Sequence, residues 1–246
     1  MLRLDKYLSD CGVGTRSEIK KLIRSGAVRV DGVNKATPDT KIDETSAIVY
    51  LNGQIIKYRK YVYLMLNKPQ GYVSAVRDNH YKTVVELVPE EYKHFDVFPM
   101  GRLDIDTVGL LVLTNDGEMA HRLLSPTKHI PKKYIAEVDG RVGDSDIACF
   151  KSGMDLGDFT AKPAELRVIE NTDFGCVAEV TIAEGKFHQI KRMFEKVGKK
   201  VLSLKRIQMN NLVLDETLKE GELRELTENE LKLLSQENKY AKEENK

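Results

Sequence analysis

The chain has 246 residues, with 39 lysines and arginines against 38 aspartates and glutamates, a formal net charge of +1. That balance, taken alone, argues against a strongly nucleic-acid-binding protein, and no run approaches the roughly 20 apolar residues of a membrane-spanning helix. The three cysteines, Cys11, Cys149 and Cys176, are odd in number and far apart, which fits neither a disulfide framework nor a metal cluster and points to a reducing cytoplasm.

The charge is unevenly spread. Residues 1–59 carry 11 basic and 7 acidic side chains, net +4. Within them Leu4, Tyr7, Leu8 and Cys11 recur at helical spacing up to Gly12. A second helix is expected from Thr15, whose spacing to Glu18 is that of a capping box, to the stop at Gly26. Ile19, Leu22 and Ile23 form its inner face, and Arg16, Lys20, Lys21 and Arg24 its outer one. Residues 27–30 read as a short strand carrying Arg29, and strands 48–51 and 54–56 flank the hairpin signal Asn52-Gly53. A polar junction, Lys57 to Lys60, places a domain boundary near residue 60.

The larger part opens with a strand over 61–66 and a turn through Asn67-Lys68-Pro69-Gln70-Gly71. A short helix is expected over 83–87 and a strand over 96–98. Gly101-Arg102-Leu103-Asp104-Ile105-Asp106-Thr107-Val108-Gly109 then runs into the apolar residues 110–114 and the turn Asn115-Asp116-Gly117. An unbroken apolar run of that kind is a strand buried on both faces, with the charged stretch at its mouth. A helix over 118–124, a strand over 132–138, a helix over 142–152 and strands over 164–169 and 177–182 follow. Residues 184–198 read as a turn and a helix. Lys186 to Arg206 holds eight basic residues and one acidic, the second cationic region. A strand over 201–204, an apolar stretch near Leu212 and a helix over 227–234 end the ordered part, with a polar tail over 236–246.

GRLDIDTVGLLVLTNDG resembles the GRLD motif of pseudouridine synthases, and LNKPQGYVS and HQIKRMF are similar to further motifs of the same family. RLDKYLSDCGVGTRSEIKKLIRSGAVRVDG resembles the S4 RNA-binding module. The resemblance implies an α+β protein: a small S4-like (αL) RNA-binding domain over residues 1–59, then a catalytic domain over 60–235 built on a mixed, largely antiparallel β-sheet with flanking helices. It implies isomerisation of a specific uridine to pseudouridine in ribosomal RNA, 16S (small-subunit) RNA in preference to 23S. Ribosomal RNA or a ribosomal subunit assembly intermediate is the expected partner, and a monomer the expected state. No cofactor and no metal are implied.

That reaction breaks the bond from base N1 to ribose C1′, turns the uracil and joins C5 to C1′. It calls for a carboxylate near the nucleoside, a cation to hold it, and a flat ring for a base drawn out of its stack. By the family motifs these are Asp104, Lys191 and Tyr134, with Asp106 the lesser carboxylate. Arg192 is the alternative cation, because adjacent helical residues point about 100° apart and both cannot face Asp104. Arg102 would bind a phosphate or brace the loop. Arg16, Lys20, Lys21, Arg24 and Arg29 would dock RNA through its backbone, which supplies affinity and position but little sequence choice. Whether Asp104 adds to C6, attacks C1′ or removes a sugar proton is left open. The rivals are a non-catalytic ribosome-associated RNA-binding protein and a glycosidase, which would need a second carboxylate.

Overall fold

A computed structural model describes residues 1–125 and 128–236, so the expected tail lies outside the described residues from residue 237 onward. The chain divides into two compact units, one of Met1–Val62 with Pro89–Val97, the other of Tyr63–Val88 with the chain from Phe98 onward.

In the smaller unit, α1 (Leu4–Asp10) and α2 (Arg16–Arg24) precede three antiparallel strands, β1 (Val28–Val30), β2 (Val49–Leu51) and β3 (Gln54–Ile56). The capping box is present: the Thr15 hydroxyl accepts from the Glu18 N–H while the Glu18 carboxylate accepts from the Thr15 N–H. Ile19 and Ile23 on α2 are buried with Leu4, Tyr7 and Leu8 of α1. That inner face fixes the outer one, and Arg16, Lys20, Lys21 and Arg24 are all exposed. Leu2 and Arg3 pair with Ile42 and Lys41 as a two-stranded ribbon, where the sequence suggests the start of a helix.

In the larger unit the strands are β4 (Tyr63–Lys68), β5 (Phe98–Met100), β6 (Val108–Thr114), β7 (Lys132–Asp139), β8 (Glu165–Asn171), β9 (Gly175–Ile182), β10 (Val201–Met209), β11 (Leu212–Val213) and β12 (Leu223–Glu225). They form one sheet in the order β8-β9-β7-β10-β6-β4-β12, with β11 paired to β10 and β5 to β6. Among the described residues only its β6–β10 pairing is parallel. The sheet is thus mixed and largely antiparallel, as expected. β6 lies inside it, and Gly109 to Thr114 are buried on both faces. Leu110 and Val112 pack into a core with Met119 and Leu123 of the following helix (Gly117–Leu124) and Leu234 of the last one (Glu228–Ser235). Each fully buried leucine or valine there contributes about 1.5–3 kcal/mol relative to exposure.

Three strands differ from expectation. β4 continues through Asn67 and Lys68, which composition assigns to the turn, because both pair with β6 opposite Leu110 and Gly109. β10 runs on to Met209, because Arg206 is buried and donates from Nε to the Leu110 carbonyl at 2.7 Å, so the polar end of the strand stays in the sheet. Leu223–Glu225 adds the edge strand β12 where the charged sequence gives no strand signal. At Gly109, opposite Arg206, φ is +100° and an added Cβ would sit 2.3 Å from the Arg206 carbonyl oxygen, so the close approach of β6 and β10 requires glycine there. Among the described residues no helix is long and apolar enough to cross a membrane.

Candidate active site

The loop 101–107 joins β5 to β6 and is tied down from below by residues 68–74. Lys68, at the end of β4, is fully buried. Its ammonium donates to the carbonyls of Pro69 (3.1 Å), Asp104 (3.0 Å), Ile105 (3.4 Å) and Thr107 (2.9 Å). Burial pushes the Lys68 pKa down to about 8, against the pull of Asp106 and Asp104. The Ser74 hydroxyl accepts from the Leu103 N–H and donates to the Leu103 carbonyl, both at 3.0 Å, and the Gly71 N–H donates to the Ile105 carbonyl at 2.8 Å. The physical work of this stretch is to anchor the Asp104 loop. Nothing in its letters signals a buried ammonium under the next motif.

Above this base lies a cavity of about 450 Å³ lined by Asp104, Tyr134, Lys191 and Arg102, among others. Asp104 Oδ2 lies 3.2 Å from Lys191 Nζ and 3.7 Å from His188 Nε2. Lys191 also donates to Asp106 Oδ1 at 2.6 Å. Burial opposes ionisation of Asp106, but the hydrogen bond and charge of Lys191 outweigh it and hold that carboxyl below the usual carboxylate range. One ammonium therefore serves two carboxylates, Asp104 and the lesser candidate Asp106, and His188 stands beside Asp104, a placement that the sequence does not indicate. Tyr134 is 6% exposed and stands on β7 opposite Val180 of β9 and Arg206 of β10, which fixes its backbone at the cavity wall.

The structure separates the two cation candidates. Arg192 turns to residues 156–159, donating to the Leu156 carbonyl at 2.7 Å, pairing with the Asp158 carboxylate and lying over the Phe159 ring at 4.8 Å. Only Lys191 of the two meets Asp104. Arg102 is exposed at the cavity. Arg29, also exposed, pairs with Asp31 and lies over the Tyr50 ring at 3.8 Å.

Chemically, the cavity offers a carboxylate held by an ammonium, a phenol ring in the wall and a rim bearing Lys186 and Arg102. Such a place can take an anionic ligand with a flat ring and act on it through one carboxylate.

Comparison with known proteins gives a consistent picture. A family model described as RNA pseudouridylate synthase matches residues 62–196, and an S4 domain model matches residues 2–48. An uncharacterized RNA pseudouridine synthase, YtzG, of Bacillus subtilis is 44% identical over 96% of this chain and 99% of its own length. The ribosomal small subunit pseudouridine synthase A of Haemophilus influenzae is 36% identical over 95% of this chain and 99% of its own. A crystal structure of a pseudouridylate synthase superposes with a TM-score of 0.66 at 35% identity, covering 95% of this chain and 100% of that one.

Proposed function

The chain belongs to the RNA pseudouridylate synthase family, and from that premise we propose that it converts one specific uridine of 16S (small-subunit) ribosomal RNA to pseudouridine. The observation that carries the chemistry is the Asp104 carboxylate at 3.2 Å from the Lys191 ammonium, in a cavity that Tyr134 also lines. The isomerisation needs no net electrons: N1–C1′ breaks, C5–C1′ forms, C5 gives up its proton and N1 gains one. Asp104 is the acting group, Lys191 holds and aims it, and Tyr134 supports the extruded uracil. Arg102, exposed at the rim, receives a phosphate. The small-subunit substrate is supported by relatives named ribosomal small subunit pseudouridine synthase A, which align along nearly their whole length.

The test is to map pseudouridines in ribosomal RNA from cells with and without the gene, and to restore the missing site with purified protein. One uridine of 16S RNA is expected to lose its modification. A lost site in 23S RNA, or none in any ribosomal RNA, overturns the substrate assignment.

The S4 domain docks the RNA through Arg16, Lys20, Lys21, Arg24 and Arg29. The double variant Lys20→Ala, Lys21→Ala is expected to weaken binding uniformly across RNA sequences. It should also flatten the plot of log binding constant against log salt by about 0.7–0.9 per phosphate contact removed. Filter binding of a 16S fragment over a salt series of roughly 50 to 200 mM measures this, and an unchanged slope would show that these lysines do not neutralise phosphate.

A further inference from the structure

Scattered apolar side chains on a surface are ordinary, so an exposed phenylalanine alone implies nothing. Phe187 differs in its setting. It is 73% exposed, it lines the mouth of the Asp104 cavity, and its ring is stacked on the His188 imidazole with centroids 3.8 Å apart and planes at 18°. The inner ring of that pair reaches to 3.7 Å from Asp104, and the outer face of the pair is open.

The pair is also held in place before any ligand arrives. Buried Gln189 accepts from the Lys186 N–H at 3.0 Å and donates to the Glu184 carboxylate at 2.7 Å, clamping the turn on both sides of Phe187. The same Glu184 oxygen accepts the Lys162 N–H at 2.9 Å, which secures the turn to the neighbouring chain segment. His188 adopts φ +49°, a left-handed conformation uncommon for a side-chain-bearing residue, and it is this geometry that turns the backbone into the helix Gln189–Lys196. A rigid aromatic surface loses little freedom when a ring settles on it.

On this basis, and resting on the uridine-isomerising function proposed above, we propose that the Phe187–His188 pair is a stacking platform for the nucleobase next to the target uridine. The flanking base lies on the free face of Phe187 and extends the two-ring stack to three, while the uridine enters toward Asp104 and Tyr134. Stacking of this kind is tolerant of base identity, and loss of one such partner weakens binding by roughly 10-fold to 100-fold.

The experiment uses the RNA fragment whose modified uridine has been mapped, with 2-aminopurine placed in turn at the nucleotide before and after it. The full-length Asp104→Asn protein serves as host so that bound RNA stays unreacted. Quenching of 2-aminopurine fluorescence is expected at one of the two positions. It should disappear when Phe187→Leu is added, which keeps an apolar side chain without a ring, and return with Phe187→Tyr. The Phe187→Leu change should raise the dissociation constant roughly 10-fold to 100-fold for intact RNA and within about twofold for RNA abasic at that position. Equal quenching with and without the Phe187→Leu change, or the same loss of affinity for intact and abasic RNA, overturns the platform. Failure of the unsubstituted enzyme to form pseudouridine in any ribosomal RNA is a separate result, and it removes the premise instead.

Discussion

Replacing Asp104 with asparagine is expected to lower pseudouridine formation by about 10⁴-fold or more, the scale seen when an enzyme loses its acting group, while RNA binding stays within a few-fold. The change alters charge and proton affinity and almost nothing else. Asparagine has nearly the shape of aspartate, the side chain is 30% exposed, and the backbone at 104 is held by Lys68 and Thr107 whichever side chain it carries. Lys191 is not left without a partner, because Asp106 accepts from it at 2.6 Å. What disappears is, among the described residues, the only carboxylate that lines the cavity with Tyr134. Since C5 must lose its hydrogen when C5–C1′ forms, release of tritium from 5-tritiated uridine in a single-turnover experiment measures the step directly. A rate within tenfold of the parent would remove Asp104 from the chemistry. Free uracil from the parent enzyme would instead mark a glycosidase.

Much of this geometry follows from local rules that a sequence displays. The apolar run after Gly109 had to be an inner strand, the Thr15–Glu18 spacing had to cap a helix, and Asn52-Gly53 had to turn a hairpin. Asp104, Tyr134 and Lys191 are separated by 30 and 57 residues, and no spacing rule could bring them together; their common cavity was foreshadowed only by motif resemblance. Helical spacing leaves Lys191 and Arg192 open and only the motif favours Lys191; what turns Arg192 away is a partner, Asp158, that lies 34 residues earlier in the chain. Burial of Arg206 and Lys68 was hidden for a related reason. Charged residues are normally read as exposed, and only the finished fold shows backbone carbonyls arranged to receive them.

Lys68→Met is the variant expected to have the second largest effect, and it shows both in the rate and in how stability varies with pH. Methionine fills similar volume but has no donor, so the carbonyls of Pro69, Asp104, Ile105 and Thr107 lose a shared ammonium, and the loop that aims Asp104 loses its anchor. A displacement of about 1 Å in a reacting group can cost on the order of 10²-fold in rate, and a loss of that size in kcat is expected with KM little changed. Stability responds through the proton. Burial lowers the Lys68 pKa from 10.5 to about 8, so between those values the unfolded chain binds a proton that the folded chain has released. The contribution of Lys68 to stability therefore rises with pH across that window, by about 3 kcal/mol in all, and is least favourable below about pH 8, where the buried group is charged. The methionine variant has no such group. Urea unfolding of parent and variant at about pH 7.5 and about pH 10, which spans most of the window, should show the parent gaining about 2 kcal/mol relative to the variant as the pH is raised. The two curves moving in parallel would mean that the four carbonyls and the nearby carboxylates offset the cost of burying the charge, so that the Lys68 pKa is not lowered. The anchoring role is decided by the rate: a kcat within a few-fold of the parent would mean that Lys68 does not hold the Asp104 loop in place.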